Sequence, residues 1–282
     1  MSAAASLPEP ITVAGRDGLA ALLAAPGQAV VATDYDGTLA PIVDRPEDAI
    51  PAPGAIDALG GLARGVGAVA IVSGRTLPEL LRLGGLREHP DLGHLLVYAQ
   101  YGVQRWDAAT GEVISPEPGP GVDEVRRRLP ALLADAMPGT SIEDKGHALA
   151  VHVRRTADPA AAMDQLRDRL LALADETGLE PAPGRMVLEL REPGPHKGDA
   201  VRQLLAERFG GTPSAVLYAG DDLGDLVVFD ELESLRRRGV PGVGVFAESA
   251  EVTALRDRAD LVVPGPTGVV ELFRSLASRL PG

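Results

Sequence analysis

Two aspartates, Asp34 and Asp36, directly follow the apolar segment Ala29–Thr33. Residues i and i+2 of an extended chain point to the same side, so both carboxylates are expected to project into one small volume. Such carboxylates repel each other unless a cation or a shared proton compensates, and a hard divalent ion such as Mg²⁺ does so while also binding phosphate oxygens. Gly37 permits a tight turn, and the hydroxyl of Thr38 can bind a phosphate. We therefore predict a metal and phosphate site here rather than an ordinary solvated turn.

A second polar segment, Ser73-Gly74-Arg75, follows the apolar stretch Ala68–Val72. A hydroxyl and free backbone N–H groups at the end of a strand, followed by a helix N-terminus, suit an anion. We therefore predict that Ser73 and Gly74 bind phosphate. A helix cap is the alternative role for Ser73.

Lys197 stands just before a predicted helix and is one of only two lysines in the chain, the other being Lys145. All the remaining basic residues are arginine, so each lysine invites a specific explanation. The compact ammonium of lysine suits a point contact with phosphate and with an anionic nucleophile. We therefore interpret Lys197 as a phosphate-binding residue of the same site.

Three aspartates, Asp221, Asp222 and Asp225, follow the apolar segment Ala215–Ala219. Three carboxylates within five residues, in an otherwise apolar neighbourhood, require a cation, so we predict that they contribute metal ligands. Helix capping by Asp222 and a favourable helix-dipole contact by Asp225 are alternatives that are compatible with the metal site.

The four segments require a scaffold that brings them together. Six apolar runs are continuous rather than alternating, which indicates parallel strands covered on both faces. They are Ala29–Thr33, Ala68–Val72, Leu95–Ala99, Ala215–Ala219, Val243–Phe246 and Leu261–Val263. Helical patterns between them, at Ala55–Arg64, Leu77–Leu83, Gly198–Phe209 and Leu223–Arg237, indicate βαβ units and a doubly wound α/β sheet. Ligands of such sheets bind at the carboxyl ends of the strands, where all four segments can meet.

The alternation of strands and helices is interrupted between two Pro/Gly-rich hinges, at 115–121 and 191–195. The interval has the order α-β-β-α-β-β, which predicts a small α+β domain. Its predicted elements are the helix Val122–Ala136, the strands Thr140–Glu143 and Ala148–Arg154, the helix Pro159–Thr177, and the strands Leu179–Pro181 and Met186–Leu190 around a turn at Pro183-Gly184. We therefore predict a core made of residues 1–114 and 192–282, into which a cap domain, residues 115–191, is inserted.

The inserted segment carries its own polar residues. Glu143 and Lys145 are two residues apart on one predicted strand and so share a face, while His152 and Arg154 lie on the neighbouring strand. Glu189 lies on the last predicted strand. A face with carboxylates and an ammonium suits a polyhydroxylated ligand better than a lipid or a nucleobase. Cross-strand ion pairs on a solvated face are the alternative, especially for His152 and Arg154.

Composition excludes several classes of protein. The chain of 282 residues has no cysteine, which excludes disulfides and cysteine-ligated metals, and its net charge of −13 argues against nucleic-acid and anionic-membrane partners. No apolar run approaches the roughly 20 residues that span a bilayer, and no signal peptide is visible. We therefore expect a soluble, cytoplasmic globular protein.

The four core segments resemble, in type and order, those of the haloacid-dehalogenase-like superfamily of aspartate-nucleophile phosphotransferases. Together with the insert, the chain is similar to the trehalose-6-phosphate phosphatase family. The matching stretches are 34–42, 73–75, 101–103, 143–154, 186–191 with 197–198, and 220–229. The chain differs where the family often has His-Gly at Tyr101-Gly102, and Thr-Asp-Glu at Gly224-Asp225-Leu226.

The resemblance implies a Rossmann-like core with a cap, and Mg²⁺-dependent removal of phosphate from trehalose 6-phosphate, with a functional link to a trehalose-6-phosphate synthase. It implies that Asp34 is the nucleophile and Asp36 the acid and base, that Ser73 and Lys197 bind phosphate, and that Asp34 and Asp221 hold the metal. It implies that the cap residues Glu143, Lys145 and Glu189 bind the disaccharide. We also predict that Arg75, His152 and Arg154 bind the substrate. Asp36, Asp222 and Asp225 complete the acidic set that we expect around the metal.

The expected mechanism is in-line attack of Asp34 on phosphorus, which gives an aspartyl-phosphate that water then hydrolyses. Three other functions remain open from the sequence. The first is a phosphatase of a related disaccharide, pseudo-disaccharide or other sugar phosphate, which the departures at Tyr101 and Gly224 would favour. The others are a dehalogenase and a non-catalytic regulator that binds a sugar phosphate, and the paired aspartates with Lys197 argue against the regulator.

Overall fold

The computed structural model describes residues 7–43, 45–184, 186–249 and 255–281. The chain forms two units, one of Met1–Ser115 with Pro195–Gly282 and one of Pro116–Gly194. We call the first the core unit and the second the inserted unit. Within the described ranges, every helix is too short or too polar to cross a membrane.

The two units contain twelve strands and eight α-helices in the described residues. The strands are β1 (Ala29–Thr33), β2 (Ala68–Val72), β3 (Leu95–Ala99), β4 (Gln104–Asp107), β5 (Val113–Ile114), β6 (Ser141–Asp144), β7 (Ala148–His152), β8 (Glu180–Gly184), β9 (Val187–Arg191), β10 (Ala215–Gly220), β11 (Gly242–Ala247) and β12 (Leu261–Val263). The helices are α1 (Val13–Ala24), α2 (Ala55–Ala63), α3 (Leu77–Gly84), α4 (Pro120–Leu132), α5 (Pro159–Thr177), α6 (Lys197–Phe209), α7 (Leu226–Arg237) and α8 (Gly265–Ala277).

The core unit is built on an eight-stranded sheet of order β12-β11-β10-β1-β2-β3-β4-β5. The six predicted strands pair in parallel, while β4 and β5 continue the sheet in antiparallel pairing. From β1 the chain builds the sheet in one direction through β2 and β3, and later in the other direction through β10, β11 and β12. The crevice at this switch of direction, between the carboxyl ends of β1 and β10, is where open α/β sheets bind ligands.

The sheet is covered on both faces, which explains why its strands are apolar throughout. Alternate residues of β1 enter different clusters: Val31 packs with α2, α3 and α8 on one face, and Val30 packs with α6 and α7 on the other. The predicted α/β class is confirmed, whereas α1, α8, β4 and β5 were not predicted. The Leu223–Arg237 pattern divides into a 3-10 turn, Leu223–Asp225, and the helix α7.

The inserted unit is a four-stranded antiparallel sheet of order β6-β7-β9-β8, with α4 and α5 packed on one apolar face. The α5 helix has the predicted bounds, and α4 begins and ends earlier than predicted. The turn predicted at Pro183-Gly184 is wrong, because β8 extends through Gly184. Prolines occur in β8 because it is an edge strand, where a missing N–H leaves no ladder bond unmade.

Candidate active site

The predicted catalytic segments meet at the carboxyl ends of β2, β1 and β10, which are neighbours in the sheet. Asp34 follows β1 and its N–H donates to the carbonyl of Ala219 in β10, with 2.9 Å between the atoms. Ser73 follows β2 and its N–H donates to the carbonyl of Tyr98 at 3.0 Å. The sheet register therefore places these two side chains at one edge, as the strand pattern predicted.

The Lys197 ammonium lies among three of the predicted carboxylates. Its Nζ atom donates to Asp34 Oδ2 at 2.7 Å and to Asp225 Oδ1 at 2.8 Å, and lies 3.7 Å from Asp222 Oδ1. Lys197 is 3% exposed, so these contacts take place away from bulk water. Because Lys197 is the first residue of α6, the helix start fixes where the ammonium enters the site.

The Asp225 carboxylate connects several groups of the site and does not face an open ligand position. Its Oδ1 atom also accepts from the hydroxyl of Tyr218 at 2.6 Å, and its Oδ2 atom accepts from the N–H groups of Asp221 and Asp222 at 2.9 and 3.1 Å. Asp225 is fully buried and both its oxygens are engaged. Its contacts therefore orient Lys197 and fix the loop that carries Asp221.

Tyr218 was not identified from the sequence as part of the site. It is fully buried in β10, and its ring also packs edge-on against Phe229 with the ring centroids 6.4 Å apart. The available signal was a phenol in an otherwise aliphatic strand, three residues before Asp221. Buried phenols are usually hydrogen-bonded, so such a residue indicates a polar partner nearby.

Asp221 joins the β10 segment to the β1 segment. Its Oδ1 atom accepts from the hydroxyl of Thr38 at 3.2 Å, so Thr38, for which phosphate binding is predicted, also contacts Asp221. Gly37 has a φ of 72°, and any β-carbon there would overlap the Asp221 carboxylate. Glycine is therefore required at this position both for backbone conformation and for space.

The electrostatics of the site indicate an excess of negative charge. Burial, followed by repulsion from Asp225 and Asp222, raises the pKa of Asp221 to about 8. Burial also raises the pKa of Asp34 well above its ordinary range, even though Lys197 opposes this. Burial alone would lower the pKa of Lys197, but the carboxylates led by Asp225 and Asp34 outweigh it and hold that pKa well above its ordinary value. One ammonium thus stabilises only part of the acidic cluster.

A hard divalent cation would compensate the negative charge of this cluster that Lys197 leaves uncompensated. Single oxygens of Asp34, Asp222 and Asp225 lie within 4.8 Å of one another, but the Lys197 ammonium contacts all three. Asp34 and Asp221 could hold such a cation, because the oxygens of both carboxylates have lone pairs beyond the hydrogen bonds described. Oxygen ligands of this kind are those preferred by Mg²⁺.

Asp36 and Arg75 form a separate pair beside this cluster. The Arg75 guanidinium donates to both oxygens of the Asp36 carboxylate, at 2.6 and 2.7 Å. The predicted role of Asp36 as a metal ligand therefore has to compete with a two-point contact to arginine. The Ser73 hydroxyl oxygen accepts from the N–H of Arg75 at 3.2 Å, and its own proton can still be donated to a phosphate oxygen.

Tyr101, at one of the departures from the family pattern, packs on this loop. Its hydroxyl oxygen lies 2.7 Å from the place where a β-carbon of Gly74 would stand, so a larger residue at position 74 would require the Tyr101 side chain to move. The backbone of Tyr101 is left-handed, with a φ of 61°, and its N–H donates to the carbonyl of Ser73 at 3.0 Å. This hydrogen bond holds Tyr101 in a backbone conformation that non-glycine residues rarely adopt.

The polar residues of the inserted unit share one face of its sheet. Ala150 in β7 pairs with Glu143 on one side and with Glu189 on the other, so the side chains of all three point the same way. Glu189 accepts from Lys145 Nζ, and Glu143 contacts His152 Nε2, each at 2.7 Å. Arg154 lies two residues beyond the end of β7. The structure thus places four of the five predicted substrate-binding residues of this unit in two contacts, the ion pair between Lys145 and Glu189 and the hydrogen bond between His152 and Glu143.

The sequence matches the profile of the trehalose-phosphatase family over residues 32–261. A trehalose-phosphate phosphatase of Mycobacterium marinum is 30% identical over 97% of this chain and 67% of its own length. A Mycobacterium tuberculosis protein described as an uncharacterized glycosyl hydrolase is 33% identical over 88% of this chain, and the chain spans only 18% of that protein.

Among solved structures, the C-terminal domain of C. albicans trehalose-6-phosphate phosphatase superposes with a TM-score of 0.77. The match covers 97% of this chain and 99% of that domain, at 23% identity. This likeness supports the fold described above.

Proposed function

Because the chain belongs to the trehalose-phosphatase family, we propose that it is a phosphoric monoester hydrolase that releases phosphate from trehalose 6-phosphate with the help of Mg²⁺. The family is the one that its motifs predicted. The observation that carries the proposal is the pair of buried charges at the end of β1, where Lys197 holds Asp34 beside the acidic loop of β10. In this proposal a trehalose-6-phosphate synthase supplies the substrate in the cytoplasm.

Asp34 acts as the nucleophile in the proposed reaction. Its Oδ1 atom accepts from the N–H of Tyr35 and its Oδ2 atom from Lys197, each at 2.7 Å, so the carboxylate is held in one orientation. A fixed carboxylate can attack phosphorus in line and form an aspartyl-phosphate, which divides one difficult displacement into two easier ones. Lys197 then faces both the attacking oxygen and the charge that develops on the phosphoryl oxygens.

The other groups handle protons and charge. Asp36 gives a proton to the leaving sugar oxygen and then takes one from the water that hydrolyses the intermediate. Ser73 donates to a phosphoryl oxygen together with the backbone N–H groups beside it. Mg²⁺, when bound by Asp34 and Asp221, supplies Lewis-acid neutralisation of the phosphoryl charge.

Magnesium binding is expected to stabilise the protein independently of turnover. At a concentration of Mg²⁺ about 100 times its Kd, the free energy of unfolding should rise by about 2.7 kcal/mol. The rise should be lost in Asp221→Asn and kept in Asp57→Asn, a change at an exposed carboxylate of the core unit. Thermal denaturation with and without Mg²⁺ measures this, and an unchanged rise in Asp221→Asn would exclude Asp221 as a ligand.

The polar face of the inserted unit is proposed to recognise the sugar. Lys145→Ala removes the ammonium bound to Glu189, so kcat/KM for trehalose 6-phosphate is expected to fall by about 10- to 100-fold, as for loss of a charged hydrogen bond. Hydrolysis of a small aryl phosphate should change by less than about threefold, because that substrate presents no sugar hydroxyls. Equal losses on both substrates would indicate a structural role for Lys145.

The experiment that tests the proposed function is phosphate release from a panel of esters. Trehalose 6-phosphate, sucrose 6-phosphate, glucose 6-phosphate and an aryl phosphate are compared with Mg²⁺ and with a chelator. Preference for trehalose 6-phosphate and dependence on Mg²⁺ are expected. Preference for another ester would support the phosphatase reaction but show that trehalose 6-phosphate is not the preferred substrate. Absence of phosphate release from every ester would refute the proposed function.

A further inference from the structure

One arginine holds the carboxylate of Asp36 at two points. Arg75 Nε donates to Oδ2 at 2.6 Å and Arg75 Nη2 donates to Oδ1 at 2.7 Å. A two-point contact between a guanidinium and a carboxylate fixes their common plane as well as their distance. The Arg75 side chain is 9% exposed, whereas that of Asp36 is 33% exposed. The Asp36 carboxylate is therefore held by a buried guanidinium, while part of its own surface stays exposed to solvent.

The Arg75 side chain and backbone are themselves held in place by neighbouring groups. The Arg75 guanidinium lies over the ring of Tyr35, with its central carbon 5.5 Å from the ring centroid. That ring is fully buried, and its hydroxyl donates to the carbonyl of Ala49 at 2.9 Å. The backbone of Arg75 is held as well, since its carbonyl accepts from the N–H of Gln100 at 2.9 Å. Lysine could not replace this arrangement, because an ammonium has no plane to stack and no two parallel donors.

We propose that Arg75 is a positioning residue that aims the Asp36 carboxyl at the leaving-group oxygen. This inference rests on the proposed function and replaces the substrate-binding role predicted for Arg75 from the sequence. Asp36 already accepts from Nε and Nη2 of Arg75. This edge of the guanidinium is therefore not available to bind a phosphate through two parallel hydrogen bonds.

In the reaction that Arg75 assists, one bond to phosphorus forms, one breaks, and one proton is transferred. Asp34 forms the new bond to phosphorus, the bond from phosphorus to the sugar oxygen breaks, and the proton of the Asp36 carboxyl moves to that oxygen. Asp36 is then a carboxylate, and Arg75 can donate to both of its oxygens before and after the transfer, because a protonated carboxyl oxygen keeps acceptor capacity. Without the two-point contact, a half-exposed aspartate rotates among its side-chain conformers and is correctly placed for only a fraction of the time.

The test is the dependence of kcat/KM on the leaving group. Arg75→Lys keeps the positive charge and removes the two-point geometry. For trehalose 6-phosphate, whose sugar oxygen leaves only when protonated, kcat/KM should fall by about 100-fold. For 4-nitrophenyl phosphate, whose oxygen leaves without a proton, it should fall by less than about threefold. Across a series of aryl phosphates of graded leaving-group acidity, the variant should show a steeper dependence than the wild type.

Two controls separate positioning from folding. Arg87→Lys changes another arginine over an aromatic ring of the core unit, 5.2 Å from the ring centroid of Trp106, and should leave the leaving-group dependence unchanged. In Arg75→Ala, guanidinium ion should restore hydrolysis of trehalose 6-phosphate, and ammonium ion should not. Retained hydrolysis of 4-nitrophenyl phosphate reports that the variants are folded.

The outcomes distinguish this inference from the function on which it rests. If the wild type hydrolyses the esters and Arg75→Lys loses activity equally on all of them, Arg75 does not position Asp36. If Asp34→Asn hydrolyses the esters at the wild-type rate, the proposed function itself is wrong.

Discussion

Replacing Asp34 with asparagine is expected to lower turnover of every substrate by at least about 10⁴-fold, the size of loss that follows removal of a covalent nucleophile. That loss corresponds to about 5.4 kcal/mol of transition-state stabilisation. The amide keeps the shape of the side chain, but its single oxygen can accept from only one of the two donors that Asp34 binds, Lys197 and the N–H of Tyr35. It cannot form an acyl-phosphate, so the remaining site binds the ester and stops there.

Binding should survive this change and tighten for the anionic substrate. Asp34 stands among Asp221, Asp222 and Asp225, so the asparagine variant removes one negative charge that repels phosphate. Isothermal titration of Asp34→Asn with trehalose 6-phosphate measures the affinity, and acid-quenched wild-type enzyme should show Asp34 carrying one phosphoryl group by peptide mass.

The matched control is Asp57→Asn, which removes the same charge from an exposed side chain of α2 in the core unit. We expect wild-type turnover from it. Turnover of Asp34→Asn within about tenfold of the wild type would contradict the covalent route, since no other group described at the end of β1 could replace a missing nucleophile at that rate.

The convergence of the site could be predicted because it depends on local signals. Continuous apolar runs identify buried parallel strands, and the doubly wound topology then places residues that follow β1, β2 and β10 at one edge. Elements without such a signal were missed. In β4 only Trp106 is buried, and α8 begins at Gly265-Pro266, a pair typical of loops although proline is also favoured in a first helical turn.

The division of labour among the acidic residues could not be predicted. From the sequence we predicted that Asp36, Asp222 and Asp225 all lie around the metal, with an acid and base role for Asp36 and helix-end roles as alternatives for the other two. In the structure Asp225 contacts Lys197, 28 residues away, and Asp36 contacts Arg75, 39 residues away. Which carboxylate receives an ammonium, a guanidinium or two N–H groups depends on tertiary contacts at the atomic scale, and no spacing rule encodes these.

Removing the Lys197 charge is the second change with a large expected effect. In Lys197→Met the carboxylates of Asp34 and Asp225 lose the cation that compensates them in a site without bulk water. Breaking a buried ion pair by removing one partner costs about 3 kcal/mol or more, so the free energy of unfolding in metal-free buffer should fall by that amount. Turnover should fall by at least about 10³-fold, because the ammonium also stabilises the phosphoryl charge.

A double-mutant cycle identifies the cause of this destabilisation. In Lys197→Met combined with Asp225→Asn, the uncompensated charge is removed together with the cation, so we expect about 2 kcal/mol of the lost stability to return. Urea denaturation of the wild type, both single variants and the double variant gives the coupling energy. Additive effects would show that the fully buried Asp225 does not depend on Lys197 for its charge.

The second lysine provides the control for turnover. Lys145→Met also removes a lysine that is paired with a buried carboxylate, but in the inserted unit, and should leave hydrolysis of an aryl phosphate unchanged. A charge effect specific to the site predicts loss only in Lys197→Met. Similar losses in both variants would mean that removing any paired lysine destabilises the chain, and the ammonium beside Asp34 would then have no special role in the chemistry.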